Sequence, residues 1–318
     1  MNVASWPDWQ TLAAPPTAIA VALAIDQWFG EPPVRWHPVV WMGRYLNLFG
    51  PSLIRQQPET AFVGGAAAWL VGAAAVGLIA VGADRVLSEL PLPLKVLGVG
   101  LLLKPMLSWQ MLHDEVAAVE SALATSVEAG RVQLQRLVSR DVSQLDVEQV
   151  SESALESLAE NLNDSLVAPL FWFAVGGIGA AAVYRFANTA DAMWGYRGRY
   201  EWAGKWAARA DDVLSWLPAR LTALLLCLAA GRTVAWSHLT EAARLTPSPN
   251  GGWPMGAMAL LLGVRLSKPG VYALNPGGAA ASPAQTGTAL RWSQRAVWLA
   301  APVAAVLGSA IGFNPLDA

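Results

Sequence analysis

Charged residues are scarce in this sequence and make up only 14% of its 318 residues. An average soluble domain carries about 25%. Because charged side chains are costly in hydrocarbon, this scarcity favours an integral membrane protein over a soluble one. The 16 tryptophans agree with that interpretation, since tryptophan is enriched where a membrane meets water.

Cysteine and histidine are also rare, and their rarity excludes several kinds of site. The single cysteine, Cys227, rules out a disulfide framework and a thiolate metal site. The three histidines lack metal-ligand spacing, and the sequence has no Walker A loop, no G-x-G-x-x-G loop and no Ser-His-Asp order. With a net charge of −2, the chain is not expected to bind nucleic acid.

Long apolar segments predict an all-α, polytopic integral membrane protein with about five to six transmembrane helices. A helix needs about 20 apolar residues to cross the hydrocarbon core, and six segments approach that length: residues 12–28, 61–83, 92–111, 166–183, 213–231 and 296–313. The fourth contains Pro169 and the glycines 176, 177 and 179, so we expect a broken or re-entrant helix there. Basic residues between 185 and 209 do not follow the positive-inside rule for six spans, so the orientation and the count stay open.

A more polar stretch, residues 113–165, predicts a helical insertion in an otherwise single membrane-embedded domain covering residues 1–318. Its latter part has apolar residues at helical spacing, as in a short amphipathic helix. We expect Ser143 to cap that helix, with Asp146 at the fourth position of a capping box.

The first polar cluster is DQWFGEPPVRWHPVVWMGR, residues 26–44, which we call the proline loop. Gly30 and Pro32–Pro33 predict a turn, and the three prolines of the loop restrict its backbone. Its acidic and basic side chains beyond Asp26 are Glu31, Arg35, His37 and Arg44. These side chains could bind a phosphate or a carboxylate, because the guanidinium group of arginine can donate two parallel hydrogen bonds to one anion. The alternative is an interfacial loop whose charges face water, and the residues alone leave both interpretations open.

A second cluster places acids at helical spacing beside an apolar segment. Glu156, Glu160 and Asp164 stand at i, i+4 and i+8, so they share one face of a helix. Such a stripe usually marks a solvated face. This one runs directly into the apolar segment at 166, where acids need a partner, and oxygen-rich clusters suit Mg²⁺ with bridging phosphates.

A third cluster covers residues 184–220. Asn188 and Asp191 can share one helical face, and Arg209 and Asp212 another. Arg220 lies inside an apolar segment, where it is costly unless paired. We expect it either to pair with an acid at 211 or 212 or to face a substrate phosphate, while a juxtamembrane loop with snorkelling arginines is the alternative for the cluster.

A fourth cluster is TPSPNGGWP, residues 246–254, whose prolines and glycines predict a turn. Ser248 or Asn250 could cap the helix that follows, and the two glycine amides could form an anion-binding nest. An ordinary loop is the alternative interpretation. If the four clusters serve one reaction, we expect them to converge on one site near one face of the bilayer.

Taken together, these stretches resemble the cobalamin biosynthesis family of adenosylcobinamide-phosphate synthases, which are integral membrane proteins. The resemblance rests on residues 26–44, 140–172, 188–197, 206–226 and 248–264, which occur in the family's order. It departs from the family pattern at Ser165, where glycine is usual, and at Gly251, where alanine is usual. The resemblance therefore covers most of the chain, from Asp26 to about Asn275.

The resemblance implies a late step of vitamin B12 assembly in the cytoplasmic membrane, carried out by a multi-pass protein. The reaction would be ATP-dependent amide formation between adenosylcobyric acid and (R)-1-amino-2-propanol or its O-phosphate, giving adenosylcobinamide or its phosphate. ATP and Mg²⁺ are the implied cofactors, and the corrinoid is a substrate. The implied partners are the corrinoid, the amino alcohol phosphate, membrane lipid and other membrane enzymes of late cobalamin assembly.

On this basis, residue roles follow from the matched positions and their chemistry. The catalytic candidates are His37, Glu156, Glu160 and Asp191. The candidates for binding substrate or phosphate are Glu31, Arg35, Arg44, Asn161, Asn188, Tyr196, Arg197, Arg209, Arg220, Ser248 and Asn250. The candidate metal ligands are Asp164, Asp191, Asp211 and Asp212.

Two other functions fit some of the same residues. A Mg²⁺-dependent membrane transferase with Asp-rich diphosphate sites would use residues 161–164 and 188–191. A non-catalytic membrane assembly or regulatory factor would share the general architecture but would not need all four polar clusters.

Overall fold

The computed structural model describes residues 9–196, 198–310 and 316, without the side chains of residues 9–13 and 309. In that part of the chain it has thirteen α-helices and one pair of short strands, which confirms the predicted all-α class. The helices are α1 (Trp9–Phe29), α2 (Pro38–Leu53), α3 (Pro58–Ser88), α4 (Leu92–Leu103), α5 (Trp109–Leu123), α6 (Val127–Leu134), α7 (Val147–Leu162), α8 (Ala168–Trp194), α9 (Lys205–Leu214), α10 (Trp216–Ala230), α11 (Trp236–Arg244), α12 (Gly252–Leu262) and α13 (Pro283–Ala310). The antiparallel strands are β1 (Leu266–Lys268) and β2 (Tyr272–Leu274).

The chain folds as two compact units, each built from separate segments. The first unit takes in the chain up to Ser108, Ala168–Val213 and the chain from Ala301 onward. The second unit consists of Trp109–Val167 and Leu214–Ala300. The polar insertion predicted for residues 113–165 therefore belongs to the second unit.

Three helical stretches among the described residues are long and apolar enough to cross a membrane. They are Pro58–Ser88, Leu92–Leu123 and Val147–Trp194. The pair Lys205–Leu214 and Trp216–Ala230 makes a fourth if it counts as one span. These helices confirm the membrane class, while the higher count of five to six spans stays a prediction.

Helix breaks occur in two of the predicted spans. Inside α8, Gly176 (φ −151°, ψ 28°) and Gly177 (φ 66°, ψ −163°) leave the helical conformation, which confirms the broken helix expected there. A positive φ of this kind suits glycine, which has no Cβ. The segment predicted over residues 92–111 is also interrupted, by a 3₁₀ turn at Lys104–Met106, where Pro105 lacks an N–H for the helix.

The start of α7 corrects one expectation. Ser143 does not cap this helix; Asp146 is the N-cap, and its side chain accepts a hydrogen bond from the Gln149 N–H. The Gln149 side chain in turn accepts one from the Asp146 N–H, which completes a capping box. The box requires a side chain such as glutamine three residues after the cap, and only Asp146 has one at that spacing.

In the first unit, helices approach closely where glycine removes a side chain. Gly72 of α3 packs against the rings of Phe186 and Tyr45. Gly65, two turns earlier, lies against the Ala203 carbonyl, where a Cβ would stand only 1.9 Å from the oxygen. Small residues at such crossings are typical of helix packing in membranes, where apolar burial does not drive association.

In the second unit, α7 is the central helix. It is buried over most of its length and packs against α5, α6, α12 and β1. Polar side chains on a helix that is buried on nearly every side need hydrogen-bond or charge partners. Helix α7 carries three glutamates in its central and final turns, Glu152, Glu156 and Glu160. The partners of these glutamates determine what the helix can do.

We predict that Gly65→Ala destabilises the protein by about 1–3 kcal/mol, because the added methyl overpacks the contact with the Ala203 carbonyl. Gly82→Ala is the matched control on the same helix, since no atom lies within 4 Å of its added Cβ. Thermal unfolding in detergent compares them. A Gly65→Ala protein that melts at or above the control would show that α3 does not pack this way.

Candidate functional site

The predicted site residues divide between the two units. The proline loop and the predicted residues from Asn188 to Asp212 lie in the first unit. The acids of α7, Asp164, Arg220 and the 246–254 turn lie in the second. Arg197 falls outside the residues that the structure describes.

In the first unit, the proline loop is held by a buried lysine that the sequence analysis did not single out. Lys104 Nζ lies 2.9 Å from Asp26 Oδ1 and 2.9 Å from Glu31 Oε1. The Lys104 side chain is only 3% exposed and that of Asp26 only 1%. Lysine and aspartate are almost never buried to this degree unless they are paired, so this network fixes the loop.

His37 extends the network and caps α2. Its Nδ1 accepts a hydrogen bond from the Val39 N–H, so the proton of the neutral ring is on Nε2, which donates to Glu31 Oε2 at 2.9 Å. Burial tends to raise the pKa of Glu31, but the His37 hydrogen bond and the Lys104 charge outweigh it, and the pKa is lowered. Both nitrogens of His37 are therefore already engaged.

The two arginines of the proline loop have a different environment. Arg35 and Arg44 are both exposed. The Arg35 guanidinium lies 5.8 Å from the centre of the Trp36 ring. Of the predicted loop residues, these two are the ones that reach the surface, whereas Glu31 and His37 are tied to Lys104 and α2.

A cavity of about 710 Å³ adjoins the proline loop within the first unit. Its walls are largely apolar and aromatic and come from the loop, α2, α3, α4 and α8. Glu31 and Lys104 are the charged side chains in its lining. A cavity of this size and character is large enough for an organic ligand.

The other predicted residues of the first unit lie at or just after the end of α8 (Asn188, Asp191 and Tyr196) and on α9 (Arg209, Asp211 and Asp212). The Arg185 guanidinium donates to Asn188 Oδ1 at 3.5 Å and to Ser108 Oγ at 3.4 Å. The Asp191 carboxylate lies beside Gly195, where a Cβ would stand 2.1 Å from Oδ1. The remaining predicted residues are exposed (Tyr196 and Arg209) or half-buried (Asp211 and Asp212).

In the second unit, two glutamates of α7 are buried and paired. Glu152, which is fully buried, accepts a hydrogen bond from Arg265 Nε at 3.1 Å and another from Ser267 Oγ. Glu156 lies 3.4 Å from Arg140 Nη2. Because removing one partner of a buried pair leaves an uncompensated charge, these pairs lock α7 to its neighbours.

Tyr272 of β2 lies against the same helix. Burial raises the pKa of Tyr272 well above its ordinary value, and the charge of Glu156 raises it further. The phenol therefore stays protonated and remains a hydrogen-bond donor beside Glu156. Glu156, a predicted catalytic residue, is thus placed between Arg140 and Tyr272.

The third of these glutamates has a different position. Glu160 is exposed, and its Oε1 would lie 3.1 Å from a Cβ placed on Gly251, at the start of α12. One turn further along, Asn163 donates to Asp164 Oδ1 at 2.8 Å and accepts from the Thr222 hydroxyl of α10 at 3.0 Å. We call this place, where α7, α10 and the start of α12 meet, the α12 junction.

Arg220 is held at the α12 junction. Its guanidinium lies between two tryptophan rings, 4.2 Å from the centre of Trp216 and 4.5 Å from that of Trp253. Nη1 donates to the Trp216 carbonyl at 2.6 Å and to Asn250 Oδ1 at 3.3 Å. Stacking of a planar cation on aromatic rings is a property of arginine that lysine lacks, and it fixes the plane of the guanidinium.

The turn before α12 completes the junction. Ser248 Oγ accepts hydrogen bonds from the N–H groups of Asn250 and Gly251, at 3.2 and 3.3 Å. Ser248 thus stabilises the turn. The expected helix cap is wrong, however: the N-cap of α12 is Gly251, and neither the Ser248 nor the Asn250 side chain caps this helix. The structure therefore brings Glu160, Arg220, Ser248 and Asn250 together, although they come from three separate sequence clusters.

Asn161 and the metal candidates complete the predicted set. Asn161 donates to the Ser157 carbonyl of its own helix at 3.0 Å. Among the residues that the structure describes, no group of three or more His, Cys, Asp or Glu side chains is arranged to hold a metal ion. The metal roles of Asp164, Asp191, Asp211 and Asp212 stay predictions.

We predict that Lys104→Met destabilises the protein by about 3–5 kcal/mol, because it leaves Asp26 and Glu31 buried without the ammonium that faces them. Lys205→Met is the control in the same unit. Its half-buried ammonium lies over the Trp202 ring at 4.1 Å, so its loss should cost about 1 kcal/mol or less. Thermal unfolding in detergent measures both, and equal losses would show that the buried network is not important for stability.

Comparison with known proteins shows the family. Residues 19–299 match the model of the CobD/Cbib protein family. A probable cobalamin biosynthesis protein CobD of Thermococcus kodakarensis is 40% identical over 253 residues, 79% of this chain and 82% of that protein. The cobalamin biosynthesis protein CobD of Brucella suis is 36% identical over 277 residues, 80% of this chain and 82% of that protein. No solved structure matches significantly. The chain belongs to the CobD/Cbib protein family.

Proposed function

We propose that this chain catalyses an ATP-dependent amide formation in cobalamin biosynthesis, joining adenosylcobyric acid to (R)-1-amino-2-propanol or its O-phosphate. Membership of the CobD/Cbib family and relatives named as cobalamin biosynthesis proteins support the pathway. The membrane-capable helices support a site in the cytoplasmic membrane. The observation that carries the chemistry is the α12 junction, where a carboxylate and a fixed guanidinium lie beside a capped turn.

The reaction sets requirements that the junction can meet. A carboxylate oxygen must first become a leaving group, which phosphoryl transfer from ATP supplies. The amine nitrogen then attacks the carbonyl carbon, the C–N bond forms, and phosphate leaves. The ammonium of the amino alcohol must lose its protons on the way, so a base is needed near the nitrogen.

Glu160 is the residue we assign as that base. It is exposed, whereas Glu152 and Glu156 are buried. A carboxylate that reaches the surface can accept a proton and release it to water. His37 is less suited, because Nδ1 holds the cap of α2 and Nε2–H donates to Glu31.

Arg220 is the residue we assign to a phosphate, either of ATP or of the phosphorylated amine. Its guanidinium is fixed by two rings and by Asn250, so little side-chain entropy is lost when an anion binds. Arginine forks bind phosphate oxygens in a bidentate manner. Ser248 and Asn250 belong to the site because they shape the turn that holds the arginine.

Mg²⁺ would neutralise charge on the transferring phosphoryl group. A magnesium ion that bridges phosphates takes only one or two carboxylates from the protein. Asp164, half-buried and one turn from Glu160, fits that requirement at the junction. Asp191, Asp211 and Asp212 belong to the first unit, and their metal roles stay predictions.

The central test is turnover by the protein purified in detergent. Adenosylcobyric acid and Mg-ATP are supplied with either the free or the phosphorylated amine, and the corrinoid amide and ADP are measured by mass spectrometry. Amide formed in step with ATP consumption is the expected result. Release of diphosphate from a prenyl-type substrate would favour the transferase alternative. A lack of turnover by folded protein with either amine would favour the non-catalytic one.

We predict that Glu160→Gln lowers kcat by about 10²–10⁴-fold, the usual contribution of a general base. The KM values and the melting temperature should change little, because the side chain is exposed. A higher pH should partly restore the rate, since it supplies the unprotonated amine directly. The control is Glu148→Gln on the same helix, and an equal loss of activity in both variants would contradict the assignment.

We predict that Arg220→Lys raises the KM for ATP or for the phosphorylated amine about tenfold or more, because lysine lacks the planar fork. Arg244→Lys, an exposed position of α11, is the control and should behave as the wild type. Thermal unfolding of both variants separates binding from folding. A large drop in melting temperature with unchanged KM values would show that Arg220 is structural.

A further inference from the structure

A groove lies in the second unit, among residues to which the reaction assigns no role. It has a volume of about 460 Å³ and is formed by His113 of α5 and by one side of α13. The residues of α13 that line it are Gly287, Leu290, Arg291, Gln294 and Arg295. Hydrogen bonds from Trp109 to Gln294 and from Thr286 to Glu120 hold the two helices together.

The polar groups of this groove are mainly hydrogen-bond donors. Arg291 and Arg295 present two guanidinium groups and are both exposed. Gln294 Oε1 accepts from Trp109 Nε1 at 3.0 Å, so the N–H₂ group of that amide is the end that can serve a ligand. His113, which also lines the groove, has Nδ1 3.1 Å from Asp114 Oδ1.

The charges of the groove are of one sign. Arg291 and Arg295 are four residues apart on α13, where like charges destabilise a helix. These guanidinium groups donate to neutral acceptors: Arg291 to the Thr288 hydroxyl at 2.9 Å, and Arg295 to the Ala229 carbonyl at 3.4 Å. None of the groove's lining residues, all of which the structure describes, is an acid. An anion bound between the two forks would relieve this repulsion.

The sequence of α13 indicates which kind of anion can reach this groove. Directly after Arg295 the helix continues as AVWLAAPVAAVLGSA, without a charged residue up to its end at Ala310. Trp298, which is 52% exposed, lies about one turn after Arg295. Arginine and tryptophan at the edge of an apolar segment are typical of the depth at which phospholipid headgroups lie.

We propose that this groove binds the phosphodiester of an anionic phospholipid, with the guanidinium groups of Arg291 and Arg295 on its oxygens. Phosphate oxygens match the arginine forks, and the apolar continuation of α13 and Leu290 offer contact to the acyl chains. A soluble phosphate compound such as ATP could bind the arginine forks in the same way, but it has no acyl chain to contact the apolar residues. The site is independent of the α12 junction and of the proposed amide formation.

The experiment compares two double variants of the full-length protein in detergent. Binding of dioctanoyl phosphatidylglycerol, dioctanoyl phosphatidylcholine and ATP is measured by native mass spectrometry. Arg291→Gln with Arg295→Gln removes the two charges of the groove. Arg55→Gln with Arg244→Gln removes the same charge from exposed positions elsewhere and is the matched control.

We expect the groove variant to bind the phosphatidylglycerol at least about tenfold more weakly than the wild type and the control, since two charge-assisted contacts are lost. Phosphatidylcholine should bind more weakly than phosphatidylglycerol in the wild type. Unchanged phosphatidylglycerol affinity in the groove variant would overturn the proposal. A loss of ATP binding with retained lipid binding would also overturn it, because the phosphate would then come from a soluble ligand.

A folding defect is separated by a conservative pair. Arg291→Lys with Arg295→Lys keeps both charges but loses the forks, so its affinity for the anionic lipid should lie between those of the wild type and the glutamine variant. If the glutamine variant does not fold, the affinity of the lysine variant for the anionic lipid becomes the test of the proposal. Wild-type affinity in a folded lysine variant would then contradict recognition by the guanidinium groups.

Discussion

Pairing of buried charges is the constraint on which both units depend. An unpaired charge in a protein interior costs several kcal/mol, so each buried acid requires a base at a defined place. Lys104 meets this requirement for Asp26 and Glu31 in the first unit, and Arg265 and Arg140 meet it for the buried glutamates of α7 in the second. Apolar faces rich in alanine, glycine and leucine could pack in many registers. The ion pairs select one register, because they join segments that are separated in the sequence.

The same constraint distinguishes the residues that hold the structure from those that face the surroundings. Glu152, Glu156 and Glu160 stand one turn apart along α7. The first two are buried beside Arg265 and Arg140, and the third is exposed beside Gly251. The proline loop shows the same division. Its histidine and Glu31 anchor the loop, while its arginines stay exposed. A stripe of polar residues can therefore serve structure at one end and chemistry at the other.

Local patterns in the sequence predicted much of this architecture. The apolar segments form helices and the glycine cluster breaks α8, as predicted, whereas neither Ser248 nor Asn250 caps α12. The cap of α7 was misplaced by three residues, since two overlapping polar patterns competed and only one had glutamine at the required position. Lys104, Arg140 and Tyr272 were not predicted as partners. Their roles depend on which helices contact one another in the fold. Such tertiary contacts produce no periodic pattern in the local sequence from which they could be predicted.

The break in α8 has a consequence for the lipid around the first unit. Where Gly176 and Gly177 leave the helical conformation, the macrodipole of α8 is divided into two shorter dipoles, with a negative end facing a positive one. Backbone groups at such a point cannot be left in contact with acyl chains, which offer no hydrogen bonds. Just beyond the break, Gly179 lies against Val81 of α3, so a neighbouring helix covers this part of α8. Helix α3 therefore shields this part of α8 from acyl chains, so a lipid that approaches the unit here meets α3 and not the broken backbone.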